Sequence, residues 1–186
     1  MDTGVRRYDG FNVVGYTTSI CTETIVMVRG RKVKLFRGGA GPRLLFLHDS
    51  FCPGWLAIHE KLAAEFDVLV PIHPGFSGSE ENFDDFNTME DLLFHYLDLC
   101  EALQLDRPIL SGASFGGWLA AEWAVRYGAM LSKLILIDPL GLRVEGSPAA
   151  DILSFDSSAM RQALFGVRIR IWRWKLFPTH RRPKIW

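Results

Sequence analysis

Leu110-Ser111-Gly112-Ala113-Ser114-Phe115-Gly116-Gly117-Trp118 stands between two segments of different character. Arg107-Pro108-Ile109-Leu110 before it is a short apolar run that reads as a strand, and Trp118-Leu119-Ala120-Ala121-Glu122-Trp123-Ala124-Val125 after it reads as a helix. Ser114 is therefore expected on a sharp strand-to-helix turn, with a glycine two residues away on either side. That is the Gly-x-Ser-x-Gly nucleophile elbow in the context it requires. The turn strains the serine backbone, and a Cβ at Gly112 or Gly116 would strike the neighbouring strand or helix. Such an elbow lifts the serine Oγ above a sheet and aims the first N–H groups of the helix at an incoming oxyanion.

Outward from the elbow, strands and helices alternate. Arg43-Leu44-Leu45-Phe46-Leu47 is a continuous apolar strand, as expected where a sheet is covered on both faces. Trp55 to Phe66 carries Trp55, Ile58, Leu62 and Phe66 at helical spacing, and Val68-Leu69-Val70-Pro71-Ile72 is the next strand. Asn87 or Thr88 caps a helix with the core face Met89, Leu92, Leu93, Tyr96, Cys100 and Leu103. Lys133-Leu134-Ile135-Leu136-Ile137-Asp138, closed by Pro139, is a further buried strand. Ahead of this series, Thr24–Val28 and Lys32–Phe36 read as a hairpin around Arg29-Gly30-Arg31, and residues 1–20 as a loose arm. The fold class is α/β, a mostly parallel sheet with helices on both faces. Ligands of such sheets gather at the carboxyl ends of the strands, where His48, His73, Ser114 and Asp138 all fall.

Length and charge narrow the function. The 186 residues suit one domain with a sizeable core. Formal net charge is zero but unevenly spread. Residues 167–186 hold seven basic side chains and no acidic one, which leaves residues 1–166 with 14 basic against 21 acidic groups, a net of −7. Such a body offers no nucleic-acid surface. Cys21, Cys52 and Cys100 lack metal-ligand spacing, and three widely spaced thiols imply a reduced, cytoplasmic setting. Arg6 and Arg7 are followed by no apolar run, so no signal peptide is expected, and no run approaches the roughly 20 residues that span a bilayer.

With Leu47-His48-Asp49-Ser50, Pro74-Gly75-Phe76-Ser77-Gly78-Ser79, Gly112-Ala113-Ser114-Phe115-Gly116-Gly117 and Ile137-Asp138-Pro139-Leu140-Gly141 in this order and spacing, the chain resembles the α/β-hydrolase family from about Ile25 to about Phe165. The Gly-x-Ser-x-Gly-Gly variant is similar to the branch of small-molecule esterases, C–C bond hydrolases and dehalogenases, and serine at 114 disfavours members that attack with aspartate. The resemblance implies Ser114 as nucleophile, the N–H groups of Phe115 and Ser50 as oxyanion donors, a small-molecule substrate, and neither metal nor organic cofactor. It implies that His48 braces the oxyanion loop. The family's His-Gly pair is here His48-Asp49, whose carboxylate either opposes stabilisation of the oxyanion or points away into water.

The family continues through two strands that supply an acid and then a histidine, in the order Ser…Asp/Glu…His. Beyond the helix that follows Ser114 this chain offers Asp138, Glu145, Asp151 and Asp156, and His180. Asp138 is the acid candidate. The expected organisation is an arm over 1–20, a partial hydrolase core over 21–141 without the family's C-terminal strands, the start of a lid over 142–166, and a basic, Trp-rich tail over 167–186 outside the fold. The tail reads as an alternating strand, as a segment for an anionic membrane surface, or as a wrong-frame translation. The implied function is hydrolysis of esters or similar small carbonyl compounds, impaired by truncation within the lid region. The alternatives are a non-catalytic remnant that binds small ligands, and a membrane-surface protein acting through its tail.

Overall fold

Antiparallel hairpins come first and strand–helix alternation follows. In order, the elements are β1 (Arg6–Tyr8), β2 (Phe11–Val13), β3 (Cys21–Val28), β4 (Arg31–Gly38), β5 (Arg43–Leu47), α1 (Ala57–Leu62), β6 (Asp67–Pro71), α2 (Met89–Ala102), β7 (Ile109–Ala113), α3 (Phe115–Tyr127) and β8 (Lys133–Ile137). The computed structural model describes the backbone of residues 6–8 and 11–13, and residues 21–76, 79, 86–142, 145 and 146. The chain divides between Leu142 and Arg143 into two units, and the sheet belongs to the first. The expected lid beyond Leu142, apart from residues 145 and 146, and the expected tail lie outside the described residues, as does His180.

β3 to β8 form a six-stranded sheet in the order β3-β4-β6-β5-β7-β8. β3 and β4 are antiparallel, and β6, β5, β7 and β8 run parallel. This is the α/β architecture expected from the alternation. Side chains of β5 show why its sequence is apolar throughout. Leu44 and Phe46 pack with Val68, Val70, Ile109 and Ala63, the residue that closes α1. Leu45 and Leu47 pack with Leu93, Tyr96 and Leu99 of α2 and with Leu119 and Trp123 of α3. Successive side chains of a strand point to opposite faces, so a strand covered on both must be apolar at every position.

At the opposite end of the sheet from the candidate site, the buried Asp67 receives Arg37 Nε and Nη2 at 2.8 and 2.7 Å and Arg43 Nε at 3.1 Å. These bonds tie β4, β5 and β6 together. α2 is capped by Thr88, whose Oγ1 accepts from Asp91 N–H at 3.2 Å. Its buried face is Leu92, Leu93, His95, Tyr96, Leu99 and Cys100. No helix among the described residues is long and apolar enough to cross a membrane.

Several boundaries differ from the sequence reading. Arg6–Tyr8 pairs with Phe11–Val13, where a loose arm was expected. Strands of three residues are too short to show alternation, although the Asp9-Gly10 dipeptide between them is a hairpin signal. The helix expected over Trp55–Phe66 is regular only over Ala57–Leu62, yet Trp55 and Phe66 still pack against the same core. The elbow strand runs on to Ala113 rather than ending near Leu110.

Candidate active site

Ser114 sits between β7 and α3 with φ 51° and ψ −112°. A non-glycine residue at such an angle carries strain of about 1–3 kcal/mol and persists only where its surroundings hold it. Here they do. Ser114 N–H donates to Ile137 O, and Ser114 O accepts from the N–H groups of Trp118 and Leu140, all at 3.0 Å. The bracketing glycines are required by close approach. A Cβ on Gly112 would lie 2.2 Å from Gly116 O, and one on Gly116 would lie 2.2 Å from Leu47 O. The first contact brings α3 down onto its own strand, and the second brings it onto the end of β5.

The register sets the neighbours. Leu47 of β5 is paired with Gly112 of β7, so the residues after Leu47 leave the sheet beside the strand that ends just before Ser114. Three N–H groups follow Asp49 in this loop. Asp49 Oδ1 accepts two of them, from Phe51 at 2.6 Å and from Cys52 at 2.7 Å. Ser50 N–H and Phe115 N–H have no acceptor among the described residues. The carboxylate that stands where the family has glycine thus neither faces water freely nor hangs loose beside the serine.

His48 and His73 form a brace beneath these loops. His73 N–H donates to His48 Nε2 at 2.9 Å, so His48 carries its proton on Nδ1 and donates it to Asp49 O at 2.5 Å. His73 Nε2–H donates to His48 O at 2.8 Å, which leaves Nδ1 to accept from Tyr96 O–H. Both rings are fully buried, with centroids 3.8 Å apart. Burial pushes the His48 imidazolium below its ordinary range, and burial and the neighbouring His48 push His73 well below. Both rings are neutral braces with all four nitrogens engaged. The sequence assigned His48 this role. Tyr96 was read only as a core residue, and nothing in the sequence connects it to His73.

His59 and His95 are buried on α1 and α2, and both are held near a pKa of about 4, chiefly by burial. His59 Nδ1 accepts from Leu56 N–H at 2.9 Å and so starts its own helix. Asp138 follows β8, exposed, with φ 44°. Its neighbours Ile137 and Leu140 supply two of the bonds on the Ser114 backbone. Among the described residues no group of three His, Cys, Asp or Glu side chains could hold a metal ion, and all three cysteines are free thiols.

Residues 44–184 match the profile of the Alpha/beta hydrolase family. The matched span thus takes in most of the tail that the sequence reading set outside that resemblance. The chain is 28% identical over 133 residues to a 2-hydroxy-6-oxo-2,4-heptadienoate hydrolase of Pseudomonas putida, covering 68% of this chain and 48% of that protein. It is 28% identical over 123 residues to a 2-hydroxymuconate semialdehyde hydrolase of a Pseudomonas species, covering 63% of this chain and 43% of that protein. The chain therefore spans about half the length of these curated relatives. Among solved structures, a bacterial membrane phospholipase A superposes with a TM-score of 0.63 at 25% identity, over 68% of this chain and 42% of that one.

Proposed function

The chain belongs to the Alpha/beta hydrolase family, and from that premise we propose that it cleaves esters or similarly small carbonyl compounds through Ser114. Ser114 Oγ attacks the carbonyl carbon, and the N–H groups of Ser50 and Phe115 receive the charge that develops on the carbonyl oxygen. The alcohol leaves, and water then cleaves the acyl–serine bond. The observation that carries this reading is the Ser114 backbone, held at φ 51° between β7 and α3 by three hydrogen bonds. Strain of this kind, over-determined by its surroundings, gathers at reacting residues. The two Pseudomonas relatives are named as hydrolases of unsaturated oxo-acid and semialdehyde compounds, and a dicarbonyl compound is a second candidate substrate.

A serine hydroxyl needs a base. His48 and His73 have both ring nitrogens engaged, so neither takes the Oγ proton while the brace is intact. His180 is the remaining histidine outside the two helices, and Asp138 is the first acid after the elbow helix in chain order. The engaged histidines favour slow turnover by the 186-residue chain, with acylation of Ser114 outlasting its hydrolysis. A ligand-binding protein without turnover is the competing reading.

The test is acylation by nitrophenyl acetate, followed by nitrophenolate release and by the mass of the protein. Wild-type chain should gain one acetyl group on Ser114, and Ser114→Ala should gain none there. A turnover unaffected by Ser114→Ala defeats the nucleophile assignment. Loss of a triad member costs on the order of 10⁴-fold in turnover, so a His180→Ala variant that loses robust turnover would identify that histidine as the base.

A further inference from the structure

Resting on the assignment of Ser114 as nucleophile, we propose that Asp49 is a positioning residue for the oxyanion donor Ser50 N–H and, through its charge, a determinant that turns carboxylate-bearing acyl groups away from the site. The positioning role follows from the loop's hydrogen bonds. Asp49 Oδ1 accepts from Phe51 N–H at 2.6 Å and from Cys52 N–H at 2.7 Å, short distances of the kind a charged acceptor makes. These bonds close a turn over the residues that follow β5. Of the three successive N–H groups in that turn, only that of Ser50 has no acceptor among the described residues. The turn therefore disposes of two donors and keeps the third for a ligand. Glycine at this position would leave all three without a side-chain acceptor, and the loop would depend on its backbone alone.

The specificity role follows from where the charge lies. Leu47, the last residue of β5, is paired with Gly112 of β7, so the turn that carries Asp49 leaves β5 beside the strand that leads to Ser114. Its charge already opposes the effect of burial on the rings of His48 and His59. The described residues that follow the carboxyl ends of the parallel strands are 48–56, 72–76, 114 and 138–142. Their charged side chains are Asp49 and Asp138, with no lysine or arginine among them, and His48 and His73 are held neutral. A substrate carboxylate that approaches Ser114 past these residues meets like charge and, among the described residues, no cation, whereas a neutral acyl chain meets no such opposition. Discrimination by an unfavourable charge is a common route to specificity.

The experiment uses the full chain, with Asp49→Asn and Asp49→Ala variants, and two esters of similar length. Nitrophenyl butyrate is neutral, and the mono-nitrophenyl ester of succinate carries a carboxylate. In each, the acyl carbon transfers to Ser114 Oγ, nitrophenolate leaves and the Oγ proton passes to water. Amide exchange of Phe51 and Cys52 is measured in parallel. Wild-type chain should be acylated by the succinate ester about tenfold more slowly than by the butyrate, a gap that narrows as salt screens the charge. Asparagine keeps the acceptor oxygen and loses the charge. Asp49→Asn should therefore close most of that gap and leave both amides protected. Alanine loses the acceptor. Asp49→Ala should expose both amides to faster exchange and slow acylation by both esters about tenfold or more, because an oxyanion donor is misplaced. Equal exchange in wild type and Asp49→Ala overturns the positioning role, and an unchanged ester ratio in Asp49→Asn overturns the specificity role. Absence of Ser114-dependent acylation in wild type defeats the nucleophile assignment and the specificity role with it, while the exchange rates still judge the turn.

Discussion

Histidines bear most of the chemistry that this molecule hides from solvent. His59 and His95 are depressed from the ordinary 6.5 to about 4, with burial the largest cause in each. The unfolded chain takes up these protons near 6.5, and the folded chain refuses them until about 4. Between those values the unfolded state binds more protons, so stability rises with pH through the window, is complete above it and is lost below it. Each histidine adds a slope of about 1.4 kcal/mol per pH unit there. The urea midpoint should therefore drop steeply between pH 6.5 and pH 4.5. His59→Asn, whose side-chain oxygen can still accept the Leu56 N–H, should flatten that drop by one proton's worth. A midpoint that does not move over this range would contradict the buried, neutral state of these rings. The serine on its strained turn was legible at the same scale, because glycine spacing is local. The His48–His73–Tyr96 brace was not, because its members come from three segments that only the sheet brings together.

At the scale of elements, the contact between α3 and the ends of β5 and β7 leaves no room for a side chain. A methyl group on Gly116 would meet Leu47 O at 2.2 Å and His48 O at 2.6 Å, both backbone atoms that cannot swing aside. Gly116→Ala should push α3 off the sheet, destabilising the chain by roughly 3 kcal/mol, a large value for one methyl group, and displacing Ser114. Gly128, just past α3, has nothing within 4 Å of the same added methyl and a φ of −58°. Gly128→Ala is therefore the matched control and should leave stability unchanged or raise it by up to about 1 kcal/mol. Equal urea midpoints for the two variants would mean that the elbow is not packed as described. Thr88→Ala should cost about 1 kcal/mol, because it removes the acceptor that caps α2. That cap was legible to within one residue, since Asn87 and Thr88 are both capping types and only the fold chooses between them.

For the molecule as a whole, the consequential feature is β8. It is the last strand of the sheet, and among the described residues its outer edge has no partner. Leu134, Ile135 and Ile137 are 39%, 41% and 36% exposed, which is unusual for an apolar parallel strand. A flat apolar edge of this kind templates pairing with other chains. The 186-residue chain should self-associate at micromolar concentration, and Ile135→Lys should suppress this without changing the circular dichroism of the fold. Monodisperse light scattering from unsubstituted chain under the same conditions would count against that expectation.

From the sequence alone, periodicity and glycine spacing determined the α/β class, the parallel strands and the serine on its turn, because each of these is written in residues that are neighbours along the chain. The same reading left Asp49 with two possible orientations and gave no partner to Tyr96, and it assigned no burial to His59 and His95. Tertiary structure decided these points. Register between strands sets which side chains meet, and burial sets whether an imidazole carries charge. Neither quantity exists until β5, β6 and β7 lie side by side.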